Sequence, residues 1–326
     1  MKKNSKRKSN LKSSLLLLLL LAILLISSSY AWFTANQTVT VSSLQVNVQA
    51  SNGLQISADG TTWKAVLANS DLTAGYTGHT NQISNALAPV STGGNITNGK
   101  MDMFYGQVAA NEAGTYMLTA TKETDAAGTT GRYIAFDIFL KVDQQTTIYM
   151  TPNSKVAYVG DSDKGLQNAA RVAFINEGTK PASAAVDEIQ ALSVASGTAL
   201  IWEPNYDTHT STAVAAARDT YGVITSTTGG TQLPYNGIKA DIPDSANIPM
   251  IQTTTPSSTY FSSVSPAYKT TNGFSTQQTF LTLNAGVTKL RVYMWIEGQD
   301  VDCENGASGT DIAFDLQFTA TAQQGT

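Results

Sequence analysis

Cysteine, histidine and charge are all scarce in this chain of 326 residues. The single cysteine, Cys303, excludes an internal disulfide and any zinc site built on several thiolates. The two histidines, His79 and His209, form no His-Glu-x-x-His motif. Catalytic zinc takes two or three clustered His or Cys ligands, so that chemistry has little to stand on. Both histidines read as exposed loop residues. No Gly-x-Ser-x-Gly elbow and no Gly-x-x-x-x-Gly-Lys-[Ser/Thr] phosphate loop is present. Glu203 and Glu297 each follow a tryptophan-bearing strand, but nothing in sequence sets them across a cleft as a glycosidase pair, and they read as strand-end charges. The chain is therefore not expected to be an enzyme. Charged residues make up 13%, about half the usual quarter, and Ser, Thr, Asn, Gln, Gly and Ala take their place. With 42% apolar residues in alternating runs, disorder is excluded.

What is present begins with a leader. Lys2, Lys3, Lys6, Arg7, Lys8 and Lys12 form a basic head, Leu15 to Ile26 an unbroken apolar run, and Ser29-Tyr30-Ala31 a small-x-small exit. That is the layout of a secretory signal peptide, with an apolar run of about 7–15 residues, whereas a spanning helix needs about 20. Cleavage by a signal peptidase is expected between Ala31 and Trp32. The leader is expected as a hydrophobic helix over residues 1–31, and residues 32–326 as one secreted domain. The leader carries six of the 20 Lys+Arg and none of the 24 Asp+Glu, so the remainder has a formal charge of −10. Such a surface repels nucleic acid and anionic lipid, and membrane contact is expected only through the leader. The C-terminal Gln323-Gln324-Gly325-Thr326 offers no apolar tail and no wall-sorting motif, so no tether is expected there.

Period-two alternation dominates the rest. Val39, Val41, Leu44, Val46 and Val48 alternate with polar residues, with a phase slip at Ser42-Ser43 that a bulge would repair. This predicts a strand from Gln37 to Ala50. Further strands are predicted at Leu54 to Ser57, Met103 to Val108, Thr115 to Ala120, Arg132 to Val142, Ile148 to Met150, Arg171 to Ile175, Ala199 to Trp202, Phe280 to Leu283, Lys289 to Glu297 and Asp311 to Ala320. Residues 66–130 and 203–270 read as large loop insertions, with one or two short helices, one over Thr212 to Tyr221. Many short strands with Gly-rich turns predict an all-β fold, an antiparallel β-sandwich of jelly-roll type.

Two stretches resemble one family. The junction Ser28-Ser29-Tyr30-Ala31-Trp32-Phe33-Thr34 resembles that of proteins processed by the SipW-type signal peptidase, among them the TasA-type biofilm fibre proteins and the camelysin-like group. The segment Val292-Tyr293-Met294-Trp295-Ile296-Glu297-Gly298-Gln299-Asp300-Val301-Asp302-Cys303 resembles the C-terminal strand-loop of Firmicutes surface proteins with such leaders, as do Arg171-Val172-Ala173-Phe174 and Trp202-Glu203-Pro204-Asn205. The resemblance covers about a third of the chain. It implies a jelly-roll sandwich and a homopolymeric fibre made by donating the mature N-terminal strand to a neighbour.

The residues give that implication a physical basis. The segment Thr38 to Ala50 has high β-propensity, no charge and no proline, so its backbone must pair within its own sheet or with another copy. The function expected is a secreted cell-surface or biofilm-matrix structural protein. The alternatives are a monomeric adhesin or carbohydrate-binding domain, with a loop pocket lined by Tyr206, Tyr235 or Tyr260, and a surface hydrolase. No cofactor is expected unless calcium binds the acidic loop, where Asp300, Asp302 and Glu304 offer hard oxygen ligands at alternating positions. That loop departs from an EF-hand and otherwise reads as a solvated acidic turn. Cys303 within it is expected to be buried.

Overall fold

The computed structural model of the chain describes residues 39–49, 53–110, 115–215, 217–218, 235–250, 256–304 and 309–320. The leader and the Ala31/Trp32 junction lie outside the described residues. The fold is mostly β. Two large sheets draw on β1 (Val39–Gln49), β2 (Gln55–Ser57), β3 (Val66–Ala68), β4 (Ala86–Leu87), β5 (Ile134–Val142), β6 (Thr146–Met150), β7 (Lys155–Val159), β8 (Ala170–Lys180), β9 (Leu200–Glu203), β10 (Tyr268–Lys269), β11 (Gln278–Leu283), β12 (Gly286–Ile296) and β13 (Asp311–Thr319). The first sheet has the order β11-β6-β13-β1-β3, with β7 also on β13 and β4 on β1. The second runs β10-β9-β8-β12-β5-β2.

Most neighbours are antiparallel, but two pairs are not. β1 runs parallel to β13, from Thr40 opposite Asp311 to Gln49 opposite Thr319, and β9 runs parallel to β10. The expectation of purely antiparallel sheets is corrected there, because alternation fixes which face a side chain takes and says nothing of strand direction. The register of β1 shifts between Val41 and Ser43, at the phase slip read from the sequence. The bulge lets Val39 before it and Leu44 and Val46 after it all enter the core. Val41 packs half-buried against that core, and Val48 lies opposite Phe318 in the ladder. On its other side β1 is covered by β3 over Gln45–Asn47 and by β4 at Val39 and Thr40.

The two sheets share one apolar core. Phe174 of β8 meets Phe280 of β11 edge-on at 4.7 Å between centroids, and Phe280 lies 5.3 Å from Phe318 of β13. Burying each such ring contributes about 1.5–3 kcal/mol, and each ring pair a further ~1 kcal/mol.

The insertions account for the other face of the second sheet. β12 is buried at every position. Leu290, Val292, Met294 and Ile296 point into the inter-sheet core. The alternate residues Tyr293 and Trp295 join a second cluster with Ala173, Ile175 and Ile201, roofed by Val90, Met101 and Met103 from the first insertion and Tyr235 and Val264 from the second. The insertions are thus not bare loops. Val90–Ser91, Met103–Ala110 and Tyr116–Glu123 form a three-stranded sheet. Asn95–Thr97 pairs with Lys100–Met101 and Ser196–Thr198, and Asn236–Ile238 with Phe261–Ser263. Short helices cover Asn69–Ala74, Val186–Gln190 and Ser211–Ala215, more than the one or two expected among the described residues alone. Asp187 and Glu188 in the first turn of the second favour its N-terminus electrostatically. None of the described helices is long and apolar enough to cross a membrane.

Candidate functional site

Roofing the outer face of the second sheet has a chemical consequence: Asp137, Arg171, Glu177, Lys289 and Arg291, which its strands carry there, are buried. The centre of that face is apolar, and each end carries an arginine with two carboxylates.

At one end Arg171 is 0% exposed. Its Nη2 donates to Glu203 at 2.6 Å and Asp300 at 2.5 Å, and its Nη1 to the carbonyls of Asn168 and Ala170 at 2.9 and 3.0 Å. The guanidinium lies 5.0 Å from the ring centroid of Tyr235. Burial disfavours its charge, but Glu203 and Asp300 outweigh burial and raise its pKa above the usual arginine value. Burial pushes Glu203 above the usual carboxylate range despite Arg171. Asp302 contacts His209 Nδ1 at 2.6 Å through Oδ2 and accepts the Thr210 N–H at 2.8 Å through Oδ1. Burial raises its carboxyl, with His209 opposing. Glu304 accepts the Thr210 hydroxyl at 3.2 Å and is likewise raised by burial. Glu297, 0% exposed, accepts the Trp295 indole N–H at 3.0 Å and the Gln299 N–H at 3.1 Å, and burial pushes it up to about 7.

Several expectations are corrected at this end. Asp300, Asp302 and Glu304 are buried rather than a solvated turn, and the His209 side chain is buried against Asp302 rather than exposed in a loop. Glu203 and Glu297 are interior groups, not strand-end surface charges. Their strands are roofed by insertions whose contacts are far away in sequence. Cys303 is buried, as expected. Candidate metal-ligating atoms of His209, Asp300 and Asp302 lie within 4.8 Å of one another. Calcium requires six to eight oxygens, and here Asp300 already faces Arg171 while Asp302 faces His209 and the Thr210 N–H. Ion pairing within the protein is enough to account for the clustering.

At the other end Arg291 donates to Asp137 at 2.7 Å, Asp125 at 2.5 Å, the Thr80 carbonyl at 3.0 Å and the Tyr293 hydroxyl at 3.1 Å. Lys289 Nζ lies 3.3 Å from Asp137 and donates to the Gln190 carbonyl at 2.8 Å. The Tyr76 hydroxyl donates to Asp137 at 2.6 Å. Burial would raise Asp137, but Arg291 and Lys289 outweigh it and hold the carboxyl below its usual range. This end opens into a cleft of about 400 Å³ walled by residues 76–80, the Asn98-Gly99 turn and residues 187–193. His79, expected to be solvent-exposed, is half-buried in that wall, its ring against the backbone of Tyr76.

Glu177 enters the cleft because of a second bulge. The register of β8 against β12 shifts between Asn176 and Gly178, whose φ is +114°. Glu177 is the inserted residue, and bulges of this kind re-aim a side chain. It is 5% exposed, accepts the Val194 N–H at 2.6 Å, and burial pushes its carboxyl up to about 7 against the pull of that N–H and of Lys289. Sequence reading singled out neither Glu177 nor Asp137, Lys289 and Arg291 as site residues. Their signal was present, as charges at fixed parity in strands otherwise built for burial and a glycine after Glu177. The tyrosines expected to line a pocket lie elsewhere: Tyr235 is buried beside Arg171, and Tyr260 packs on the cluster around Phe104 and Phe261. The aromatic residue of the cleft is Tyr76. No protein-family model, no curated protein and no solved structure matches this chain.

Proposed function

We propose that the chain is a secreted structural protein of a bacterial surface or biofilm matrix, a jelly-roll-like sandwich whose copies join by exchanging β1. The observation that carries this reading is the placement of an uncharged strand, Val39–Gln49, along the whole of β13 at the N-terminal edge of the described chain. With the leader removed after Ala31, β1 is the first strand of the secreted chain, and such a strand can leave and be replaced by the same strand of a neighbour without unthreading the chain. The exchanged partner remakes the same ladder and fills the same sites for Val39, Leu44 and Val46, so exchange conserves contacts while linking subunits. The leader, the charge of −10 on the remainder and the TasA- and camelysin-like junction support export and this assembly. The non-enzymatic reading is part of the same proposal.

Electron microscopy of the protein recovered from culture medium tests it. Filaments are expected. Removing residues 32–50 is expected to abolish them, and adding back a synthetic peptide of residues 38–50 to restore a folded, capped monomer. A protein that stays monomeric at high concentration, and does not exchange labelled copies on prolonged mixing, would overturn the reading.

A further inference from the structure

The cleft at the Arg291 end has the attributes of a ligand site, and its charge inventory identifies the kind of ligand. Its cations are spoken for: Arg291 on Asp125 and Asp137, Lys289 on Asp137, and Lys100 at 3.9 Å from Asp125. An anionic ligand would find no unmatched positive charge. Asp137 is likewise saturated by Arg291, Lys289 and Tyr76, so it has little to offer a cation. What remains is hydrogen-bonding capacity. Glu177 spends Oε2 on the Val194 N–H, while its Oε1 has no hydrogen bond among the described residues although the residue is 5% exposed.

The walls around that oxygen are fixed in advance. The Asn98-Gly99 turn is held by Asn98 N–H on the Ala195 carbonyl at 2.8 Å and Gly99 N–H on the Val194 carbonyl at 2.7 Å. Gly99 has φ of +73°, and a Cβ there would sit 2.3 Å from Ser193 Oγ and 3.1 Å from Glu177 Oε1. The floor is tied to the helical wall through Gln190, whose carbonyl accepts from Lys289 and whose side-chain amide donates to the Asp59 carbonyl. A preformed cleft of a few hundred Å³ is of the size that small-molecule ligands occupy, and this one offers them hydrogen-bonding groups more than apolar surface.

We propose that this cleft binds an uncharged saccharide unit, with Glu177 and the hydroxyl and amide groups of the surrounding walls bonding the sugar hydroxyls. A carboxyl poised near neutrality can donate as well as accept, which suits a hydroxyl. The charged groups facing Glu177 are Lys289 and Arg291 of β12 and Asp137 of β5; Asp187, Lys100 and His79 line the mouth. Saccharide binding does not depend on strand exchange, and either can fail alone.

The test is saturation-transfer NMR and calorimetry on the secreted protein with cellobiose, diacetylchitobiose, maltose and lactose, with glucuronate and glucosamine as charged counterparts. At least one neutral disaccharide is expected to bind in the millimolar range at pH 6, several-fold more weakly at pH 8.5. Glu177→Gln is expected to bind with little pH dependence. Glu177→Leu is expected to lose roughly tenfold or more in affinity. Thr77→Trp, on the exposed rim, is expected to block binding with thermal stability intact. Binding of none of the four at about 10 mM, preference for a charged sugar, or unchanged affinity in both Glu177→Leu and Thr77→Trp would overturn the proposal.

Discussion

The two ends of the outer sheet face use one device and put it to different ends. Each has an arginine between two carboxylates at hydrogen-bonding distance, Arg171 with Glu203 and Asp300, Arg291 with Asp137 and Asp125. At the first end the chain closes over the charges. At the second the walls stop short and leave a cleft. A buried ion pair is costly to assemble and more costly to break, so a sealed cluster acts mainly to specify how the insertions dock. An identical cluster at the floor of a cleft also fixes the geometry of whatever lies above it.

Four measurements press on that contrast, from the largest effect to the smallest. Arg171→Met leaves Glu203 and Asp300 buried with no counter-charge and is expected to cost about 3–5 kcal/mol in chemical denaturation. If the cost were under about 1 kcal/mol, the sealed end would not be sealed.

The second is the pH dependence of Glu297. Its carboxyl is raised from 4.5 to about 7 in the folded chain, so the folded state holds a proton that the unfolded state has released. The contribution is present below pH ~4.5 and is lost as pH rises through about 7, so stability falls across that window. Glu297→Gln is expected to flatten the fall and to leave the protein more stable at pH 8 by on the order of 3 kcal/mol. Trp295 fluorescence reports the same event through its indole bond to Glu297.

Third, Arg291→Met is expected to cost less than Arg171→Met, roughly 2–3 kcal/mol, because water entering the cleft can solvate Asp137. Equal costs would mean that the cleft does not reach the floor. Fourth, Gly99→Ala, at positive φ and in contact with Ser193, is expected to cost about 1 kcal/mol, measurable as a small drop in melting temperature.

Alternation carried most of the fold. The bulge in β1 was readable because Val39 and Val41 fall on odd positions while Leu44, Val46 and Val48 fall on even ones. β5, β8, β12 and β13 were readable from uniform apolar parity on one face. β7 was not anticipated: Lys155 to Val159 is short and follows Pro152-Asn153, so its pattern is indistinguishable from a loop. Of the insertion strands, Met103–Ala110 and Tyr116–Glu123 were readable, whereas the two- and three-residue ones escaped for the same reason, and the parallel pairing of β1 and β13 is invisible to any local pattern. The acidic loop at Asp300, Asp302 and Glu304 was noticed for its charges, but its partners Arg171 and His209 lie more than ninety residues away. The cleft escaped because its walls come from three segments that only tertiary packing brings together.

The direction of one ladder sets how the molecule carries load. Because β1 and β13 run the same way, tension drawn upstream of Val39 and downstream of Thr319 slides the two strands along each other instead of peeling them apart. The nine register pairs between them must then yield together, so the first and last of the described strands form a mechanical clamp.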